Sequence, residues 1–434
     1  MIEVILGTLI HNASTSLFHL LVVPVAIFSG FFYFFGFVGL MQRRQTRQHA
    51  KSGKLPRVTI QIPTFNELVA IRCAEHCLSM NYPKDKYEIL IGDDSSSKEV
   101  SAMIDEFARK HKGRIKIIRR ASNAGFKAGN LNNMTRHSTG DIIVVFDSDF
   151  IAPKDFLRRV VQPFADKKVA CVQSKWSYLN IDQSPTSKFA STVLMVYHNI
   201  LAKLNNNAGV PLLFGSGEAV RKDLLTKLGS WQEGSVTEDV EFSVRALENG
   251  YKTIYLDDLS VAGEVPYNVR ALRTQQRRWA YGNAKAFIEH RKSIIMGKFS
   301  LKQKALMTLT MLGYVSSFFL VAFMFFGAVS FMTGDPAAIN VPRLIMETSI
   351  NFLIASGFTF AGIVALWREN KMRHIAVVFF SALSIGIIVS LSVCNGVLKA
   401  ISGRPMHWIV IGKKGNVDFI PSAYGIVGTR MSTK

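Results

Sequence analysis

The chain has 434 residues, 48% of them apolar, 19% charged, with 31 Phe and a formal net charge of +21. It is too apolar for an average soluble enzyme and too charged for a chain lying wholly in lipid, which leaves one large domain of about 250 residues beside roughly 150 residues of something else. The basic residues gather next to apolar runs, with no zinc-finger spacing and no RNA-recognition signature, so the excess charge points to membrane lipids rather than nucleic acid.

Leu17 to Met41 is an almost unbroken apolar stretch of spanning length. Nothing basic precedes it and no small-residue cleavage site follows, so it reads as a signal-anchor. Arg43, Arg44, Arg47 and Lys51 come next and place the following residues in the cytosol by the positive-inside rule.

From about residue 57 the pattern changes. Short β-branched runs (Val58 to Pro63, Glu88 to Asp93, Ile115 to Arg119, Ile142 to Phe146, Val169 to Gln173) alternate with amphipathic helical segments. Strands alternating with helices predict a doubly wound α/β domain with a mainly parallel sheet. Ligands in such domains sit at the carboxyl ends of strands, where Asp93 with Asp94 and Asp147 with Asp149 fall here. Cys73, His76 and Cys77 lie on one helix turn, one ligand short of a structural zinc site, and fit better as a packed helix face. With Cys171 and Cys394 they suggest no disulfide framework, which agrees with a reducing compartment.

Four acidic and basic clusters carry chemistry. Asp147-Ser148-Asp149 follows a buried strand and offers hard oxygen ligands suited to Mg²⁺ or Mn²⁺ bridged to substrate phosphates; a solvated turn is the alternative. Asp93 and Asp94 can accept hydrogen bonds from a base or ribose, with Ser95 and Ser96 capping the next helix. Thr237-Glu238-Asp239 opens a helix, with Thr237 as N-cap, and a carboxylate there can act as a general base or merely favour the helix dipole. Gln275-Gln276-Arg277-Arg278-Trp279 joins guanidinium forks suited to a diphosphate with a flat ring suited to a sugar, though a basic interfacial helix would also look like this.

In this order the four clusters resemble the family-2 glycosyltransferases, in particular the membrane synthases of cellulose, chitin, mannan and hyaluronan. The resemblance covers about residues 57 to 290 and extends to Pro63-Thr64-Phe65-Asn66-Glu67, Lys127-Ala128-Gly129-Asn130-Leu131-Asn132, Gly215-Ser216-Gly217 and Glu264-Val265-Pro266. It implies a GT-A-type domain inserted between transmembrane helices. It also implies that Thr64, Glu67, Asp93, Asp94 and Lys127 surround the nucleotide, and that Asp147 and Asp149 hold Mg²⁺ or Mn²⁺ on the diphosphate. Asp239, beside Glu238, would be the general base. Gln275, Arg278 and Trp279 would bind the diphosphate and the acceptor sugar.

Three further apolar runs follow: Ala305 to Met332, Thr348 to Trp367 and Ile375 to Leu398. Trp408-Ile409-Val410-Ile411-Gly412-Lys413 weakly resembles the gating loop of cellulose synthases, which needs a cytosolic tail; Ala305 to Met332, overlong for one span, is therefore expected to be interfacial or re-entrant. The organisation expected is an anchor over 1–50, a cytosolic catalytic domain over 51–300, a membrane region over 301–400 and a basic tail over 401–434. The expected reaction is inverting transfer from a nucleotide-sugar, with a UDP-sugar as first guess, to a growing β-linked polysaccharide. A single addition that makes a membrane glycolipid is the alternative, and the plasma membrane is the expected location.

Overall fold

The computed structural model describes residues 2–42, 55–335 and 340–406. Trp408 to Lys413 and the basic group Arg43 to Lys51 lie outside the described residues.

Seven strands form one sheet: β1 (Val58–Thr64), β2 (Tyr87–Asp93), β3 (Ile115–Ile118), β4 (Ile142–Val145), β5 (Val169–Tyr178), β6 (Glu218–Arg221) and β7 (Lys252–Gly263). Their order is β3-β2-β1-β4-β6-β5-β7. Successive side chains on a strand point to opposite faces, and here both faces are covered. Ile60, Ile62 and Val144 enter one buried cluster, while Ile143, Val145 and Leu90 enter another with Leu131 and Phe242. This explains the near-continuous apolar runs of β2 and β4.

The sheet is mixed, because β6 runs antiparallel to both β4 and β5, with Glu218 opposite Val145 and opposite Gln173. The reversal has a consequence for function. The parallel strands β1, β2 and β4 deliver their carboxyl ends to one edge, and β6 delivers its beginning, Gly215 to Glu218, to the same edge. The strand order also turns there, between β1 and β4, where open α/β sheets leave a crevice.

Outside the sheet domain, Ile2–Met41 is a single 40-residue helix, about 60 Å long at 1.5 Å per residue. Among the described residues, two helical segments are long and apolar enough to cross a membrane, Ile5–Met41 and Leu301–Thr333, or up to four if two bent pairs each count as one. The bent pairs are Val341–Ala355 with Gly357–Arg368, at 59°, and Met372–Leu383 with Ile385–Ile401, at 54°. Leu301–Thr333, which contains the run Ala305 to Met332, is interrupted by a 3-10 turn at Gly313–Val315, while the bends of more than 40° lie in the two later segments. The local cause of the first bend is visible at Gly357, whose N–H is bonded 2.7 Å from the Ser29 hydroxyl of the first helix. The first helix packs on Ser316–Thr333 through Phe18 and Phe323, 4.7 Å between centroids, and through Thr15 and Ser330, 2.6 Å apart.

The membrane-type helices and the sheet domain are joined through the long helix Val269–Met296. Gly396 of Ile385–Ile401 lies so close to it that a Cβ there would sit 2.4 Å from the Arg277 carbonyl oxygen. Arg273 Nε adds a bond of 2.8 Å to the Ser392 hydroxyl.

Candidate active site

One cavity of about 610 Å³ opens at the carboxyl edge of the sheet, within the usual size range of ligand pockets. Its lining brings together Thr64, Glu67, Asp94, Lys127, Asp147, Ser148, Asp149, Glu238, Asp239, Gln275, Arg278 and Trp279. Segments more than 200 residues apart in the chain thus share one space.

Asp93 is the exception among the expected residues. It is buried and does not line the cavity. Its carboxylate accepts from Arg119 Nη2 at 2.7 Å, Ser101 Oγ at 2.8 Å and the Ser95 N–H at 3.0 Å, and these donors hold its pKa below the usual carboxylate value against the opposing effect of burial. Asp93 fixes the loop, and Asp94 faces the cavity. Asp94 is itself gripped by Arg120, through Nε at 2.9 Å and through Nη2. The cap of the following helix is Ser97, which accepts from the Val100 N–H at 3.3 Å, rather than Ser95 or Ser96.

Lys127 stands at the centre. Its ammonium is 2.8 Å from Asp147 Oδ1 and 3.4 Å from Glu238 Oε1, and donates to the Gly215 carbonyl at 2.6 Å. Burial works against the ammonium, but Asp147, Glu238, Glu218 and Asp239 outweigh it and hold the lysine charged. Gly215 is required here twice over. Its φ is +85°, and a Cβ would come within 3.0 Å of Asp239 Oδ2 and 3.3 Å of Lys127 Nζ.

Asp239 sits in the first turn of the helix Glu238–Glu248. Burial and then the neighbouring Glu238 push its pKa up to about 7, with Lys127 and the helix-end N–H groups pulling the other way. A carboxylate poised near neutrality is what general-base work requires. Contrary to the expectation from sequence, Thr237 does not cap this helix through its side chain; its hydroxyl is buried without a hydrogen bond among the described residues. The reason is packing, since Gly282 of the long helix presses on it and a Cβ there would lie 2.4 Å from Thr237 Cγ2. The two helices are also clamped farther along, where His290 lies 3.3 Å from Glu241 and 2.9 Å from Glu248.

Arg278 is half-buried over the same acids. Burial lowers its pKa while Asp147, Glu238 and Asp239 act to raise it. Trp279 lies 6.4 Å from Trp176 between ring centroids, and Trp176 is oriented by a 2.8 Å bond from Nε1 to the Ser216 carbonyl. Trp176 was not expected from sequence; it sits on β5 beyond the part read as strand. Glu218, equally unforeseen, is buried behind the site and accepts from the Gly215 N–H at 3.0 Å. Burial and Asp239 raise its pKa well above the ordinary value.

A mixed sheet of this order, with an acidic pair after β4 and a helix-borne acid beside a basic-aromatic helix, defines a GT-A-type glycosyltransferase domain. The chain belongs to glycosyltransferase family 2, for the family described as "Glycosyltransferase like family 2" matches residues 56–282, more than half of its length. A second family, "Cellulose synthase", matches residues 220–420. Among curated proteins it is similar to glucomannan 4-beta-mannosyltransferase 7 of Arabidopsis thaliana, 28% identical over 386 residues, covering 84% of this chain and 66% of that one. It is also similar to glucomannan 4-beta-mannosyltransferase 1 of Oryza sativa subsp. japonica, 26% identical over 374 residues, covering 83% of this chain and 70% of that one. The chain thus spans about two thirds of the length of these relatives. Among solved structures, a mannosyltransferase from Pyrobaculum calidifontis, in complex with GDP-Man and Mn²⁺, shares the fold with a TM-score of 0.65 at 19% identity. The match covers 89% of this chain and 99% of that one.

Proposed function

We propose that this chain is a membrane-integral, inverting mannosyltransferase that transfers mannose from GDP-mannose to the end of a growing β-linked polysaccharide. The observation that carries the reading is the single cavity in which a near-neutral Asp239, the Asp147 and Asp149 pair and the Trp279 ring all meet. The family resemblance made a UDP-sugar the first guess. The choice of GDP-mannose comes from the relatives, since Asp94 can accept a ring N–H from either guanine or uracil and so does not discriminate.

The residues fit a divalent ion of the Mg²⁺ or Mn²⁺ type. Asp147 and Asp149 supply hard oxygens, and no group of three His, Cys, Asp or Glu able to hold a metal occurs among the described residues. Such ions keep few protein ligands and complete their shell with substrate phosphates and water. When bound, the ion would offset charge on the leaving diphosphate.

The chain's own residues do the rest. Asp239 takes the proton from an acceptor hydroxyl as that oxygen attacks the anomeric carbon. The bond from that carbon to the diphosphate oxygen breaks on the opposite face, so an α-linked donor gives a β-linked product. Lys127 and Arg278 stand by the departing diphosphate as fixed positive charges. Trp279, backed by Trp176, offers a flat face on which the acceptor ring lies. The expected setting is a catalytic domain facing the cytosol.

Two results are expected. Chelation with EDTA abolishes transfer and Mn²⁺ or Mg²⁺ restores it; full activity in chelator would remove the metal from the reading. Radiolabelled GDP-mannose, offered alongside UDP-glucose and UDP-N-acetylglucosamine, should be the donor incorporated, into water-soluble material that β-mannan hydrolases degrade. The competing reading, a single addition to a lipid, is favoured by the far end of the cavity, where Val193, Leu194, Tyr197 and Tyr314 line it beside the membrane-type helices. A chloroform-soluble product carrying one sugar would establish that reading in place of the polymer.

A further inference from the structure

We propose that Arg72 and Glu264 are positioning residues that fix the Asp149 carboxylate in the orientation in which it meets the divalent ion. The inference rests on the proposed role of Asp147 and Asp149 and adds two residues that the mechanism above does not use.

Arg72 lies on the helix Val69–Leu78 that follows β1, and is 9% exposed. Its Nη2 donates to Glu264 Oε1 at 3.0 Å and to the Asp149 carbonyl at 3.2 Å. The Glu264 N–H in turn donates to Asp149 Oδ2 at 2.9 Å. A closed ring results, in which one oxygen of Asp149 is held by a backbone donor whose side chain is held by Arg72. The approach of the two acidic segments is fixed by the backbone as well. Ile151 and Ala262 exchange both amide bonds, at 2.7 and 2.9 Å, next to Asp149 and Glu264.

The chemistry of the ring argues for a role beyond holding three segments together. Apolar side chains of similar volume generally pin buried elements as well as a buried ion pair does, without its desolvation cost. Here the ring closes on a carboxylate that lines the cavity, and its guanidinium pairs the Glu264 carboxylate while also holding the Asp149 backbone. With Oδ2 committed to the Glu264 N–H, the orientation of the whole carboxylate is set before any ion arrives. Partners that orient a metal-binding side chain in this way commonly change metal affinity by about 10–100-fold when removed.

The test titrates Mn²⁺ into the full chain in detergent with GDP present, following free Mn²⁺ by electron paramagnetic resonance. The temperature is kept below the unfolding midpoint measured without metal. Arg72→Gln is expected to weaken Mn²⁺ binding by about 10–100-fold, and Arg72→Lys, which restores the charge, to recover most of it. If Arg72→Gln does not fold, Glu264→Ala serves instead; it keeps the backbone N–H, frees the guanidinium, and should weaken binding by about tenfold. A merely structural ring would lower the midpoint and leave Mn²⁺ affinity within twofold of wild type, which would overturn the inference. Asp149→Asn separates the two levels. If it too leaves Mn²⁺ binding unchanged, the metal role itself is wrong; if it alone weakens binding, only the positioning role falls.

Discussion

Asp239→Asn is expected to reduce turnover by about 10²–10⁴-fold while donor binding stays within a few-fold of wild type. Asparagine keeps the size of the side chain and its ability to sit at a helix N-terminus, but cannot take a proton. In the proposed reading the donor's nucleotide lies among Thr64, Asp94 and Lys127, which the substitution leaves in place. In wild type the same group predicts a pH dependence. Asp239 must be ionised to act, and burial with Glu238 beside it holds its pKa at about 7. The rate should therefore be low under acid conditions and rise as pH climbs through about 7. A variant that turns over within tenfold of wild type, or a rate that is flat between pH 5.5 and 8.5, would reduce Asp239 to a helix-end charge.

Much of the sheet could be read from sequence because five of its strands carry dense apolar runs that end at acids or turns. The two strands not foreseen lack that signal. Glu218–Arg221 is four residues long with only Ala219 and Val220 apolar. Lys252–Gly263 contains Asp257 and Asp258 and shifts register against β5 between Ser174 and Lys175, which breaks any simple alternation. The antiparallel insertion of β6 follows from pairing with β4 and β5, and pairing is a long-range property that no local pattern reports.

The same distinction holds at the site. Asp147, Asp149, Asp239 and Trp279 announce themselves by residue type at an element's end, and the structure brings them into one cavity. Asp93 looks the same in sequence, yet Arg119, 26 residues on, takes its carboxylate away from the cavity. Arg72 and Glu218 gave no warning: Arg72 lies in an ordinary helical pattern and acquires meaning from Asp149, 77 residues away, and Glu218 opens the short strand whose pairing could not be foreseen. The helix with Cys73 and Cys77 was legible as packing, and both thiols are buried and free. The bends at Ser356 and Ser384 were not, because at least the first depends on the hydroxyl of Ser29 far upstream.

Lys127→Met is expected to destabilise the sheet domain by about 3–5 kcal/mol and to abolish activity near pH 7. Methionine fills nearly the same volume, so the effect isolates the charge. Without the ammonium, which lies 2.8 Å from Asp147 and 3.4 Å from Glu238 in the wild type, these two acids face Asp239 and Glu218 with the half-buried Arg278 as the remaining cation of the cavity among the described residues. The cost has a sign that can be checked. Carboxyls whose pKa is raised in the folded state bind protons more tightly there than in the unfolded chain, so acid should restore part of the lost stability. Lys127 itself keeps its charge in both states across pH 5–9, so its own titration adds no slope in that window. The variant should thus differ from wild type less at pH 5 than at pH 8 in the denaturant midpoint. Activity should report the same field from the other side. Losing a cation beside Asp239 raises the pH at which the base ionises by about 1–3 pH units, so any residual rate should appear only well above neutrality. If Lys127→Met instead matched wild type in stability at pH 8 and kept its rate midpoint near 7, the lysine would not be the charge that balances this cluster. The near-neutral base would then need another origin.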